Sequence, residues 1–420
     1  MVEINGLINF NQNEISPTII KVIGVGGGGC NAVEYMFRQG ICDVDFVLCN
    51  TDAQVLKDSS VPFQIHLGQK QTEGYGSGTR PKVGEASAQE SLEEIRSLLQ
   101  QPTKMVFITA AMGKGTGTGA SPVIAQMAKE MGILTVGVVS IPSRFEGPER
   151  LEQARGGVNR LKNFVDSLIV IDNENIQRMY GSQTLSTAFG KANDVLNTAV
   201  KGIAEIITLP GYINVDFADV RTVMTDSGMA IMGAARASGE NRARRVIVEA
   251  LNSPLLNRSS ISGASNVLLN ITSGMDEITM DEMTEITSYV IHEVGDSADV
   301  IWGVGTDESL GDAVSVTVIA TGFPLSEVDE MFVTHLRGHQ GGVTPAPGGG
   351  EGKGTEEHQG GDTPDQGGRR ERIQDGVKRY VRAQLEESEV VLQPHLPPEK
   401  LKEIWSTPAY LRRPIKIDKV

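Results

Sequence analysis

Two glycine-rich turns carry the most chemical information in the chain, because glycine lets a backbone close on a phosphate. The strand-like run at 19–23 leads into Gly24-Val25-Gly26-Gly27-Gly28-Gly29-Cys30-Asn31, with a helix expected over 31–39. Such a turn presents backbone N–H groups and aims a helix N-terminus at bound negative charge. Gly24, Gly26 and Gly29 alone match GxGxxG, a pattern that equally suits a dinucleotide oxidoreductase or a tight turn without ligand. The second turn, Gly113-Lys114-Gly115-Thr116-Gly117-Thr118-Gly119, follows the run at 105–108. A helix is expected from Ser121-Pro122, where the missing proline N–H is not needed. Two such loops at the carboxyl ends of strands in one sheet predict a polyphosphate held from two sides, the Thr116 and Thr118 hydroxyls adding donors. A Walker A loop has Ser or Thr after its lysine, whereas Gly115 follows Lys114, so a P-loop NTPase is excluded.

Other reactive side chains are individually unremarkable by type and spacing. Glu146 and Arg150 read as a surface ion pair at helical spacing, and Phe189 as an apolar position of a long helix. Asp216 and Asp219 read as turn or helix-capping carboxylates. Cys30, Cys42 and Cys49 are odd in number and lack a CxxC pair or nearby histidines, so neither a disulfide framework nor a zinc site is expected, and no metal-binding residues are assigned. A reducing cytosol fits them.

Positioning the loops requires a layered α/β scaffold. From 18 to 140, β-branched runs at 19–25, 44–49 and 105–108 alternate with helical patterns at 31–39 and 83–99, and near-continuous apolar runs follow at 134–140 and 167–171. This predicts βαβ units on a doubly wound parallel sheet. Apolar steps of three and four over 183–207 predict one long amphipathic helix stopped at Leu209-Pro210-Gly211. Its 22 or so residues would span roughly 33 Å, enough to join two domains along a shared face. Helical patterns at 221–237 and 240–252, strands at 267–272, 300–304 and 314–320, and a helix over 281–294 opened by a Thr279/Glu282 capping box complete a second α+β domain.

Composition narrows the function classes. The 420 residues, 39% of them hydrophobic, can build two ordinary domains and a tail. A net charge of −15 opposes nucleic-acid binding, and no apolar run reaches the ~18 residues of a membrane span. The first basic residue is Lys21, so no signal peptide is expected. Residues 338–368 hold twelve glycines and three prolines and read as a disordered linker. The segment 400–420 carries six basic and two acidic residues beside an apolar cluster that includes Trp405, Tyr410 and Leu411.

The motifs GVGGGG at 24–29, GTGTG at 115–119, FEG at 145–147 and NVDFADVRTVM at 214–224 make the chain resemble the FtsZ family of bacterial tubulin-like cell-division GTPases, from about 19 to 323 and again at the extreme C-terminus. The resemblance implies a Rossmann-like tubulin-type GTPase domain, a long central helix, a second α+β domain, a disordered linker and a C-terminal peptide. The implied boundaries are a flexible N-terminus at 1–17, a GTP-binding domain at 18–182, the central helix at 183–210, the α+β domain at 211–325, a linker at 326–399 and a binding peptide at 400–420. It implies that Gly27, Gly28, Gly29, Cys30 and Asn31 contact phosphates from the first loop and Gly115, Thr116 and Gly117 from the second. Glu146 and Arg150 would hold the ribose, Phe189 would lie against guanine, and Asn173 and Asp194 would read its edge. Asn214, Asp216 and Asp219 would enter the next subunit's site and position the attacking water, with GTP and Mg²⁺ between head-to-tail subunits.

Pro408, Ala409, Tyr410, Leu411, Arg412 and Arg413 resemble the family's peptide for membrane-tethering and regulatory division proteins. The implied location is the cytoplasm, as a membrane-associated ring at the division site. Three departures stand out: Lys114 where glycine is usual, Cys30 for a fifth glycine, and Thr79-Arg80 for Ala-Asn in the loop resembling the γ-phosphate cover, 74–81. Lys114 and Thr79-Arg80 favour, as the alternative, a nucleotide-binding structural or regulatory homologue that assembles without efficient hydrolysis; Cys30 is a small change where only its backbone N–H is used.

Overall fold

The computed structural model describes residues 18–41, 43–208, 211–213, 215–253, 261–295, 298–324 and 332. The expectations for 1–17, Cys42, Asn214 and everything from 333 to 420, including Pro408 to Arg413, lie outside the described residues. The first half alternates regularly: β1 (Ile20–Val25), α1 (Gly26–Gln39), β2 (Val44–Asn50), α2 (Ala53–Lys57), β3 (Phe63–His66), α3 (Gln69–Thr72), α4 (Pro81–Glu90), α5 (Leu92–Leu98), β4 (Met105–Ala111), α6 (Thr116–Glu130), β5 (Leu134–Ile141), α7 (Pro148–Leu161), β6 (Ser167–Asp172) and α8 (Asn173–Tyr180). The long helix α9 (Leu185–Thr208) follows. After it come β7 (Gly211–Ile213), α10 (Phe217–Met224), β8 (Gly228–Ser238), α11 (Arg242–Leu251), β9 (Asn266–Ser273), α12 (Met280–Val294), β10 (Asp299–Thr306) and β11 (Ala313–Phe323).

The strands join in one sheet ordered β3-β2-β1-β4-β5-β6-β8-β11-β9-β10-β7. From β3 to β6 all pairings are parallel. The chain winds outward from β1 in one direction and from β4 in the other, so the crevice beyond the carboxyl ends of β1 and β4 is a topological switch point, where open α/β sheets bind ligands. β1, β5 and β6 are buried at every residue, because helices cover both faces. Ile23, Val25 and Ile108 face the layer containing Ile124 and Val158, whereas Ile20, Val22 and Phe107 face the layer containing Val33 and Met36.

Helix α9 ties the two halves together. Its Leu196, Val200 and Ile203 share a core layer with Val136 of β5 and with Met232, Leu268 and Ile319 of the later strands. A Cβ on Gly202 would lie 2.8 Å from Thr317 Cγ2, so glycine permits the close passage of α9 over β11.

Three local expectations are corrected. Residues 221–237 do not form one helix: α10 ends at Met224, Asp226 and Gly228 take positive φ of 47° and 75°, and the chain continues as β8 between β6 and β11. Met229 to Met232 are buried on both faces, which erases the alternation that marks a half-exposed strand. The stretch 83–99 is two helices, α4 and α5, meeting at Ser91. Finally, α1 and α6 begin at Gly26 and Thr116, five residues before the expected starts, so the glycines form the first helical turns and Pro122 lies inside α6.

Candidate functional site

The two glycine turns meet at the switch point. A Cβ on Gly26, whose φ is +71°, would lie 2.7 Å from Gly117 N, and one on Gly28 would lie 2.4 Å from Ala111 Cβ. Gly29 is pressed against Thr109 O and Gly24 against Gly29 O, at 2.3 and 2.6 Å from where a Cβ would stand. These glycines let the starts of α1 and α6 lie side by side, whereas Gly27 is exposed and would have nothing within 4 Å of its Cβ. Neither helix has a side-chain N-cap or an acidic residue in its first turn. Helices α2, α8, α10 and α12 are capped by Asp52, Asp172, Asp216 and Thr279, whereas α3, α4 and α11 share the uncapped, acid-free start of α1 and α6 but do not follow β1 or β4 at the switch point. Two uncapped N-termini therefore concentrate backbone donors and positive dipole ends in one place, an arrangement that attracts anions.

Hydroxyls brace this cradle. Thr116 Oγ1 lies 2.7 Å from Thr51 Oγ1 and 3.0 Å from Ser77 Oγ, tying the ends of β2 and the 74–80 loop to α6. Ser77 belongs to the 74–81 loop expected to cover the γ-phosphate, whereas Thr51 carries no sequence signal beyond following a buried strand. Thr118, expected to add a phosphate donor, is 1% exposed, and its hydroxyl accepts from Gly113 N at 2.9 Å, bracing the second turn from within. Cys30 points its thiol inward toward the carbonyls of Gly24 and Cys49, and burial pushes the thiol up to about 12, which removes it as a nucleophile. Asn31 and Lys114 are exposed. Thr79 takes φ +60°, an unfavourable conformation for a β-branched residue, at the turn before α4.

A pocket of about 240 Å³ opens along the carboxyl ends of β5 and β6. It brings together Glu146, Asn173 and Phe189, with Phe145, Tyr180 and Ala192 among its other walls. Phe145 and Phe189 are 65% and 52% exposed, so both offer uncovered ring faces, and Asn173 Oδ1 is enclosed without a hydrogen-bond partner. An unsatisfied acceptor beside aromatic surface fits a flat base that presents N–H groups. Glu146 accepts from Ser143 N at 3.3 Å and from Arg150 Nη1 at 3.1 Å, so the ion pair read from spacing is present at the pocket rim. Gly113, with φ +98°, lets the second glycine turn approach Arg150 O.

Asp194 does not join this pocket. Its carboxylate accepts from the Tyr35 hydroxyl and from Lys191 Nζ, and it lines a neighbouring cleft with Thr198 and Arg236. The hydrogen bond to Asp194 raises the ionisation of both Tyr35 and Lys191 above the ordinary range. The reason is helical geometry: residues four apart share a face, so Asn193 lies on the Phe189 side of α9 and Asp194 is turned away from it. That i, i+4 relation was the signal passed over.

Asp216 and Asp219 cap α10 reciprocally, Asp219 N donating to Asp216 Oδ1 at 2.9 Å and Asp216 N to Asp219 Oδ2 at 3.1 Å. Both are exposed. Their neighbour Val215 lines a small cleft with Glu205 and Ile206 of the last turn of α9. From Phe189 to Ile206 is about 25 Å along a helix axis, so these carboxylates lie at the far end of α9 from the pocket.

Comparison with known proteins agrees with this geometry. Residues 19–181 match the Tubulin/FtsZ family GTPase domain and residues 228–324 the FtsZ family C-terminal domain. The cell division protein FtsZ of Porphyromonas gingivalis is 46% identical over 329 residues, 78% of this chain and 72% of the relative. That of Coxiella burnetii is 48% identical over 316 residues, 74% and 81% of the two chains. The solved empty FtsZ dimer of M. jannaschii superimposes with a TM-score of 0.69 at 41% identity, covering 74% of this chain and 89% of that one. The dinucleotide oxidoreductase left open by the first glycine turn is thereby set aside, and the chain belongs to the FtsZ family of GTP-dependent cytoskeletal GTPases that act in cell division.

Proposed function

We propose that the chain binds GTP with its phosphates over the paired starts of α1 and α6 and its base beside Phe189 and Asn173, and hydrolyses it to GDP and phosphate only when copies stack head to tail. The observation that carries this reading is a division of parts. Neither α1 nor α6 carries an acidic residue in its first turn, both oxygens of Glu146 are engaged, and Asp216 and Asp219 are exposed beyond the far end of α9, about 25 Å along its axis from Phe189. A stacked neighbour would supply them. Its Asp216 and Asp219 would then orient and polarise a water for in-line attack on the γ-phosphorus, with Asn214 helping to direct it. The bond to the leaving β-phosphate oxygen breaks as the new one forms, and the N–H groups of α1 and α6 would stabilise the charge that collects on the oxygens.

Among the described residues no cluster of three or more His, Cys, Asp or Glu side chains could hold a metal. The hydroxyls of Thr51, Ser77 and Thr116 meet at the cradle and would hold Mg²⁺ there beside the phosphates. Mg²⁺ would supply charge neutralisation to the phosphates.

In the same reading, Pro408 to Arg413 attach the filament to membrane-tethering and regulatory division proteins, which gather it as a cytoplasmic ring at the division site. Among the described residues no helix is long and apolar enough to cross a membrane. The deciding experiment is phosphate release against protein concentration. A threshold below which GTP is bound but not hydrolysed is expected; turnover per molecule that is constant at every concentration would refute the shared site.

A further inference from the structure

Helix α6 presents the second phosphate turn, yet it contains Pro122 in its second turn. Proline has no N–H, and the carbonyl it would serve in a continuous helix is that of Thr118. Arg160 of α7 takes that carbonyl: its Nη2 donates to Thr118 O at 3.3 Å while Nη1 donates to Glu85 Oε2 of α4 at 2.6 Å. Helix α4 leads directly out of the 74–80 loop, and α4 and α6 meet almost backbone to backbone. A Cβ on Gly119 would lie 1.9 Å from Pro81 O, and one on Gly84 would lie 2.6 Å from Gly115 O. Glycine permits this approach but supplies no side chain to hold the seam. The planar guanidinium of Arg160 spans it, with one nitrogen on each helix.

We propose that Arg160 is a positioning residue for GTP, closing the helical bond that Pro122 leaves open and pinning the start of α6 to the helix behind the 74–80 loop. The spacing between the two segments that meet the phosphate chain is thereby held constant. This rests on the reading that the phosphates lie over α1 and α6, with the 74–80 loop covering the γ-phosphate. Arg160 touches no nucleotide; it acts through α4 and α6. Its loss should therefore affect the third phosphate most, lowering affinity for GTP more than for GDP.

The test is equilibrium binding of a non-hydrolysable GTP analogue and of GDP to the full chain, below its assembly threshold, with thermal unfolding of each variant alongside. Arg160→Met should lower the analogue-to-GDP affinity ratio by roughly 3- to 10-fold, the range of a lost charge-assisted hydrogen bond at a half-exposed site. Arg160→Lys, which keeps the charge but not the fork, should fall between Arg160→Met and the parent. In a Pro122→Ala background an N–H returns to the Thr118 carbonyl, so Arg160→Met should there have clearly less effect. An unchanged ratio, or an equal loss in both backgrounds, would overturn the proposal. So would an equal fall in both affinities with a lowered unfolding temperature, which marks a plain stability defect. Wild-type binding of both nucleotides by Gly27→Ala would instead overturn the underlying phosphate reading, and this proposal with it.

Discussion

Gly27 offers a clean separation between a glycine needed for ligand approach and glycines needed for packing. A Cβ at Gly27 would have nothing within 4 Å, whereas one at Gly29 would stand 2.3 Å from Thr109 O, which cannot move without shifting β4. Gly27 lies in the first turn of α1, where alanine is the better helix former by up to ~1 kcal/mol. Gly27→Ala should therefore fold as well as the parent or slightly better. The new methyl would occupy the space through which a phosphate reaches the N–H groups of that turn. Overfilling a close-packed site costs ~1–3 kcal/mol, so GTP affinity should fall roughly 5- to 150-fold. Gly29→Ala should do the reverse in its first effect, losing ~1–3 kcal/mol of stability through backbone displacement. Titration with a fluorescent GTP analogue and urea unfolding of the free proteins measure the two quantities independently. Wild-type affinity in Gly27→Ala would refute the placement of the phosphates over α1. Undiminished stability in Gly29→Ala would refute the packing argument.

Three other outcomes are expected. Asp216→Asn keeps an N-cap acceptor for Asp219 N and should unfold within ~0.5 kcal/mol of the parent, yet release phosphate at least ~10-fold more slowly under assembling conditions; full turnover would remove Asp216 from the chemistry. Phe189→Ala removes a ring that is already 52% exposed, so stability should change little while nucleotide affinity, read by fluorescence titration, weakens by ~1–3 kcal/mol if the base stacks there. The bidentate bond from Arg242 holds Glu282 down from its ordinary 4.5 to about 2. Because the folded value is depressed, the stabilisation is present above pH ~4.5 and disappears as pH falls toward ~2. Arg242→Met should cost ~3 kcal/mol in urea unfolding at neutral pH and clearly less at pH ~2.5, where the Glu282 contribution is mostly gone; an equal cost at both would exclude the ion pair as its source.

What could be read from the chain was whatever a few neighbouring residues specify together. The glycine turns were legible because only glycine tolerates a backbone passing within contact of Gly117 N or Thr109 O, and because each follows a β-branched run. The Thr279/Glu282 box and the steps of three and four in α9 are likewise local chemistry, and both elements form where expected. Residues far apart in sequence decided the remainder. Burial between β6 and β11 made a strand of 228–238, whose alanines and methionines look helical in isolation. Arg160, 42 residues beyond Thr118, donates to the carbonyl that Pro122 leaves without its helical partner. Tyr35, 159 residues from Asp194, claims the carboxylate that guanine was expected to use. A helix presents all its faces to the reader of a sequence alike, but only packing against other helices and strands determines which face is left for a ligand.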